Sequence, residues 1–125
     1  MIRVPAVARE IDQARIDAYA RASGDANPIH IDAAFAAATS FGGTIAHGML
    51  VMALLAEMMH AAHGEAWVRT GALKVRFKAP TRPGDTVTAS AGEPRQAAGR
   101  IDYPVQCANQ RGEVLIEGRA TVAAP

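Results

Sequence analysis

A carboxylate and an imidazole stand five positions apart in the segment SGDANPIH, residues 23–30, as Asp25 and His30. Two such groups can share one water, the imidazole taking its proton while the carboxylate orients it or supplies a proton. Positioned acid-base groups of this kind contribute about a hundred- to ten-thousandfold in rate. On an unbroken helix, a five-residue separation would leave the two side chains about 140° apart. Asn27-Pro28 forbids that helix, because proline lacks a donor and the residue before it avoids helical dihedrals, so the ends of a loop are free to converge. If Pro28 begins a helical turn, the positive end of that turn would favour a neutral ring at His30, able to accept a proton. The same residues also have a purely structural reading, an Asx turn at Asp25 and Asn27 with a surface histidine at His30. Spacing alone leaves both open.

The elements that must hold this pair are legible in outline. Residues 2–9 alternate loosely as a first strand, confined to a sheet edge by Pro5. Asp12 reads as an N-cap, Ile16, Tyr19 and Ala20 recur at helical spacing, and Gly24 closes the segment as a C-cap. Pro28 suits the first position of a second turn, and Asp32 caps a third short helix running through Ala38. After the break at SFGG, Thr44 to about His63 reads as the longest helix, apolar nearly all round until Glu57, and it needs to be wrapped. The second half supplies the wrapping. Leu73, Val75 and Phe77 alternate with Lys74, Arg76 and Lys78, the pattern of a strand with one buried face. A turn at RPGD leads into TVTASAGE, and the next strand sets Ile101, Tyr103, Val105 and Cys107 on one face with Pro104 as a blemish. Gln110-Arg111-Gly112 turns the chain into a last strand, EVLIEGRATVA. Helices first and antiparallel strands afterwards predict an α+β domain, a sheet curled over one central helix.

Composition limits what such a domain would do. With 125 residues, half of them apolar, a single domain spanning 1–125 is expected. Thirteen basic and twelve acidic residues leave no electrostatic pull toward nucleic acid. The tract from Ala33 to Ala56 carries no charged residue over 24 positions, but Gly42, Gly43, Thr44, His47 and Gly48 interrupt it, so it reads as a buried core helix rather than a membrane span. Cys107 is the sole cysteine and forms no disulfide within its chain, and Arg9 interrupts the apolar start before a signal-peptide core could form; a cytoplasmic location is expected.

The stretch YARASGDANPIHIDAAFA, residues 19–36, resembles the hydratase motif of the MaoC-like, (R)-specific enoyl-CoA hydratases. Its core, Gly-Asp-x-Asn-Pro-x-His, falls on Gly24, Asp25, Asn27, Pro28 and His30. The similarity continues through FGGTIAHGML and LKVRFKAPTRPGDTVTAS, so it covers nearly the whole chain in order. Ala22 departs from the pattern, where a branched aliphatic is usual, and bears on local packing more than chemistry. The resemblance implies a hot-dog fold, with a long helix wrapped by about five antiparallel strands, and a homodimer formed by joining two sheets. It implies that Asp25 and His30 activate a water for addition to a trans-2-enoyl thioester, or for the reverse dehydration of an (R)-3-hydroxyacyl thioester. The backbone N–H of Gly48 would meet the thioester oxygen, where a fixed donor is worth about 3–4 kcal/mol. The carrier would be coenzyme A or acyl carrier protein, with no further cofactor.

Other residues invite smaller claims. His47 reads as a hydrogen-bonded structural histidine. His60 and His63 share a helix face without a third ligand, so no metal is expected. Cys107 reads as a small hydrophobe, and Met49, Met52, Met58 and Met59 as core that can also line an acyl tunnel. Lys74, Arg76, Lys78 and Arg82 read as a solvated face, with carrier phosphates as the alternative. Two other readings stand beside this one: a thioesterase, for which Glu57 is the sole acid on the long helix, and a non-catalytic hot-dog subunit, which the intact Asp25/His30 pair argues against.

Overall fold

The computed structural model describes residues 2–125, so the expectation of one domain from residue 1 includes Met1, which lies outside the described residues. The elements follow in the order β1 (Val7–Ile11), α1 (Gln13–Ser23), α2 (Pro28–Ile31), α3 (Ala33–Ala37), α4 (Gly48–His63), α5 (Glu65–Thr70), β2 (Ala72–Phe77), β3 (Asp85–Ala91), β4 (Arg95–Ala97), β5 (Arg100–Ala108) and β6 (Val114–Ala123). One antiparallel sheet of six strands runs β1-β3-β5-β6-β2, with the short β4 paired to β5. The sheet curls over α4, the hot-dog arrangement.

Burial explains why α4 is held. Val51, Leu54, Leu55, Met58 and Met59 are buried at i, i+3, i+4, i+7 and i+8, one continuous stripe. Against it lie Val87 and Ala89 of β3, the row Ile101, Tyr103, Val105 and Cys107 of β5, and Leu115, Ile116, Ala120 and Val122 of β6. Burial pushes the Cys107 thiol up to about 12. Pro104 is tolerated in central β5 because β3 pairs with it only as far as Val105.

Several boundaries differ from the sequence reading. The long helix begins at Gly48, not Thr44, because His47 is extended (ψ 134°) and the Ile45 carbonyl faces His30, so the first carbonyl to accept within the helix is that of His47. The first strand is Val7–Ile11 rather than 2–9, starting beyond Pro5, and β1 is an edge strand. Phe77 keeps to the helix-facing side of β2 but is 56% exposed there, and Met49 is exposed where core was expected. Two elements lie outside the sequence reading. The helix α5 follows Gly64 at φ 58, and the β4–β5 hairpin turns through Ala98 (φ 52) and Gly99 (φ 76), a two-residue loop with Ala where Asn or Asp would have signalled it.

Candidate active site

Local hydrogen bonds bend the chain around Asp25 and His30. Asp12 caps α1 by accepting from the Arg15 N–H at 2.8 Å, and α1 ends at Gly24, whose φ of 80° is the left-handed C-cap conformation. Beyond it, Asp25 Oδ1 accepts from the Asn27 N–H at 3.3 Å, and Asn27 Oδ1 accepts from the Ile29 N–H at 3.0 Å, capping α2 with Pro28 at its first position. Asp32 ends α2 and caps α3. The Asx turn is therefore real, and it uses only one oxygen of Asp25. The other, Oδ2, lies 4.0 Å from His30 Nε2. The structural and chemical readings of SGDANPIH coexist.

α2 is a single turn with His30 as its third residue, and a backbone carbonyl places the hydrogen on its ring. His30 Nδ1 lies 2.8 Å from the Ile45 carbonyl oxygen, which can only accept, so Nδ1 carries the hydrogen. In the neutral ring that leaves Nε2, the nitrogen facing Asp25, as a bare acceptor. Beneath it lies His47, 2% exposed, stacked on His30 with ring centroids 3.8 Å apart and planes at 24°. His47 Nε2 donates to the Asp25 carbonyl oxygen at 2.8 Å, while Tyr19 meets its ring edge-on at 4.8 Å. His47 thus braces the backbone of one member of the pair and the ring of the other; its Nδ1 is buried with no partner among the described residues. Asp25, His30 and His47 bring ligand-type atoms within 4.8 Å of one another. Stacked imidazoles direct their in-plane lone pairs side by side rather than toward one point, which is poor geometry for a shared ion.

His30 and Gly48 line the same cavity, about 390 Å³, otherwise largely apolar, with Phe41, Ile45, Val51, Phe77 and Ile116 in its walls. Asp25 is outside that lining and reaches it through His30; the side chains are 56% and 12% exposed respectively. Gly48 is the first residue of α4, and its N–H has no hydrogen-bond acceptor among the described residues, whereas the Leu50 and Val51 N–H groups both bond to the His47 carbonyl. A Cβ at Gly48 would come within 2.8 Å of Phe77 Cε1, so the ring of Phe77 lies directly against it.

The remaining candidates fall away from this cluster. Glu57 is ion-paired with Arg9 on the surface, nine residues along α4 from Gly48, about 13 Å by helical rise. His63 Nε2 lies 2.9 Å from the Tyr103 hydroxyl, where burial lowers the histidine and raises the tyrosine, and His60 is exposed. Of the four cations on and after β2, Lys78 lines the cavity and lies 3.5 Å from Glu117; Arg82 holds the Phe41 carbonyl; Lys74 and Arg76 border a separate groove on the sheet. Met52 packs against the core, and Met58 and Met59 are fully buried. Sequence reasoning missed Gln13, which donates to the His30 carbonyl and accepts from the Thr44 hydroxyl, and the Ile45 carbonyl, which no spacing rule connects to His30, and it missed Phe41 and Phe77 as cavity walls.

Residues 3–108 match the family described as MaoC like domain. The chain belongs to that family. The MaoC-like domain is 34% identical over 125 residues to the (R)-specific enoyl-CoA hydratase of Rhodospirillum rubrum, across 95% of this chain and 83% of the relative. It is 32% identical over 122 residues to the 3-hydroxybutyryl-CoA dehydratase of Methylorubrum extorquens, across 94% of this chain and 75% of that one. The solved (R)-hydratase of Aeromonas caviae superposes with a TM-score of 0.82 at 28% identity, covering 99% of this chain and 96% of that structure. Like these relatives, the MaoC-like domain is a hydratase or dehydratase enzyme. No helix among the described residues is long and apolar enough to cross a membrane.

Proposed function

We propose that this enzyme adds water across the double bond of a trans-2-enoyl thioester to give the (R)-3-hydroxyacyl thioester, and catalyses the reverse dehydration. The observation that carries the reading is His30 Nε2, held 4.0 Å from Asp25 Oδ2 at the wall of an apolar cavity while the ring's other nitrogen is engaged by the Ile45 carbonyl. At that separation a single oxygen sits about 2.8 Å from both atoms, with the two contacts spread by about 90°, close to the directions of a water molecule's own bonds and lone pairs. In the hydration direction His30 Nε2 takes a proton from the water as its oxygen bonds to C3, and the C2–C3 π electrons move onto the thioester as an enolate. The proton then returns to C2 on the same face as the enolate collapses, with Asp25 holding the water and the charge balance of the pair. Gly48 N–H donates to the enolate oxygen as charge builds there.

The acyl chain fits the apolar cavity, and Lys78 at its wall is the one basic group of the β2 row placed to meet the carrier, coenzyme A or the phosphopantetheine of an acyl carrier protein. No cofactor or metal takes part. A homodimer joined at a sheet edge suits the exposed apolar residues Met49, Val68 and Phe77 and the edge of β2 that is unpaired among the described residues; a soluble acyl thioester suits a cytoplasmic setting. The test is the ultraviolet absorbance of crotonyl-CoA with purified protein, read together with free thiol. Loss of the enoyl band without thiol release is expected, and Asp25→Asn and His30→Ala should each lower kcat by about a hundredfold or more while keeping the fold. Thiol release, or either variant within a few-fold of the parent, overturns the proposal.

A further inference from the structure

Gln13, at the first position of α1, lies 17 residues before His30, yet it is hydrogen-bonded to the segment that carries it. Both ends of its carboxamide are engaged. Nε2 donates to the His30 backbone carbonyl at 2.8 Å and to Asp17 Oδ1 at 2.9 Å, and Oε1 accepts from the Thr44 hydroxyl at 2.7 Å. The orientation is forced, because a backbone carbonyl cannot donate and so must face the NH2 end. One side chain therefore ties together the turn bearing His30 and the stretch leading into α4.

Those two segments meet at the contact that decides the chemistry. Ile45 N–H donates to the Ile29 carbonyl at 3.2 Å, and His30 Nδ1–H donates to the Ile45 carbonyl at 2.8 Å. Thr44, held by Gln13, is the residue immediately before Ile45; the His30 carbonyl, also held by Gln13, belongs to the residue whose ring uses that acceptor. Resting on the function proposed above, we infer that Gln13 is a positioning residue: it holds the Ile45 carbonyl and the His30 ring in register, keeping the proton on Nδ1 and leaving Nε2 free for water. A neutral imidazole released from that acceptor intrinsically prefers its proton on Nε2, the form that cannot take one from water there. Gln13 touches neither the cavity nor Asp25 and acts through His30 alone.

Two variants separate this role from general support of the fold. Gln13→Ala removes the strut, and Thr44→Val removes its far end while keeping the shape of the side chain. Protein labelled with 15N at histidine reports the tautomer directly, because protonated and bare ring nitrogens resonate far apart. In the parent protein His30 is expected as the Nδ1–H form, and in each variant as a mixture. With crotonyl-CoA, kcat should fall about tenfold and KM should stay within about twofold, since misplacing a catalytic group by a fraction of an ångström costs rate rather than binding. In a His30→Ala background, Gln13→Ala should cause no further loss. The inference fails if the His30 tautomer is the same in parent and variants, or if Gln13→Ala slows the His30→Ala enzyme by the same factor as the parent. Should the parent show no hydratase activity, the proposed function falls, while the tautomer measurement still decides the role of Gln13.

Discussion

Replacing Gly48 by alanine separates stability from turnover at a single atom. Gly48 does not have the positive φ that would strain an alanine, so only the new methyl matters. That methyl would lie 2.8 Å from Phe77 Cε1 and 3.2 Å from Cδ1 and Cζ. Carbon atoms prefer about 3.5–4.0 Å, so the ring must withdraw by roughly 1 Å. Phe77 is 56% exposed and sits at the end of β2, so that movement costs the fold little. Alanine is also a better helix former than glycine by up to about 1 kcal/mol. The thermal midpoint should therefore stay level or rise slightly. Turnover should move the other way, because methyl and displaced ring both crowd the approach to the Gly48 N–H. Complete loss of such a donor is worth about a hundred- to a thousandfold in kcat, and a ring that partly yields should leave a loss of about ten- to a hundredfold. Initial rates of crotonyl-CoA hydration and a thermal melt on the same sample make the comparison. Adding Phe77→Leu to Gly48→Ala should recover part of the rate by giving the methyl room. A Gly48→Ala enzyme with full kcat and an unchanged melt would remove this N–H from the mechanism.

Further expectations concern the core and its ionisable groups. Leu55→Ala removes a fully buried side chain from the centre of the α4 stripe and should lower unfolding free energy by about 2–5 kcal/mol, seen as a lower urea midpoint at unchanged m-value. Burial holds His63 below its ordinary value, so the unfolded chain binds its proton first; this contribution is complete above about pH 6.5 and is lost as pH falls below it, and His63→Gln should flatten the fall in urea midpoint over that range. With its thiol pushed up to about 12, Cys107 should resist iodoacetamide at pH 8 in the folded protein and react promptly in urea; fast labelling of the native protein would contradict its place in the sheet.

The sequence by itself determined the elements whose causes are local. Asp12 and Gly24 bound α1 because a capping side chain and a left-handed glycine act within a few residues, and Asp32 starts α3 for the same reason. Alternation placed Ile101, Tyr103, Val105 and Cys107 on one buried face, and the motif at 24–30 pointed to Asp25 and His30. Alternation puts Phe77 on the face that meets α4, yet over Gly48, which has no side chain to cover the ring, it stays 56% exposed, and α4 starts four residues after Thr44 because His47 is extended and the Ile45 carbonyl turns to His30. Tertiary structure alone decided which nitrogen of His30 carries hydrogen, that His47 lies beneath that ring, and that Gln13 fastens the two loops between them. Each depends on backbone carbonyls and ring planes brought together from 15 or more residues away, and a carbonyl has no side-chain identity for a sequence to display.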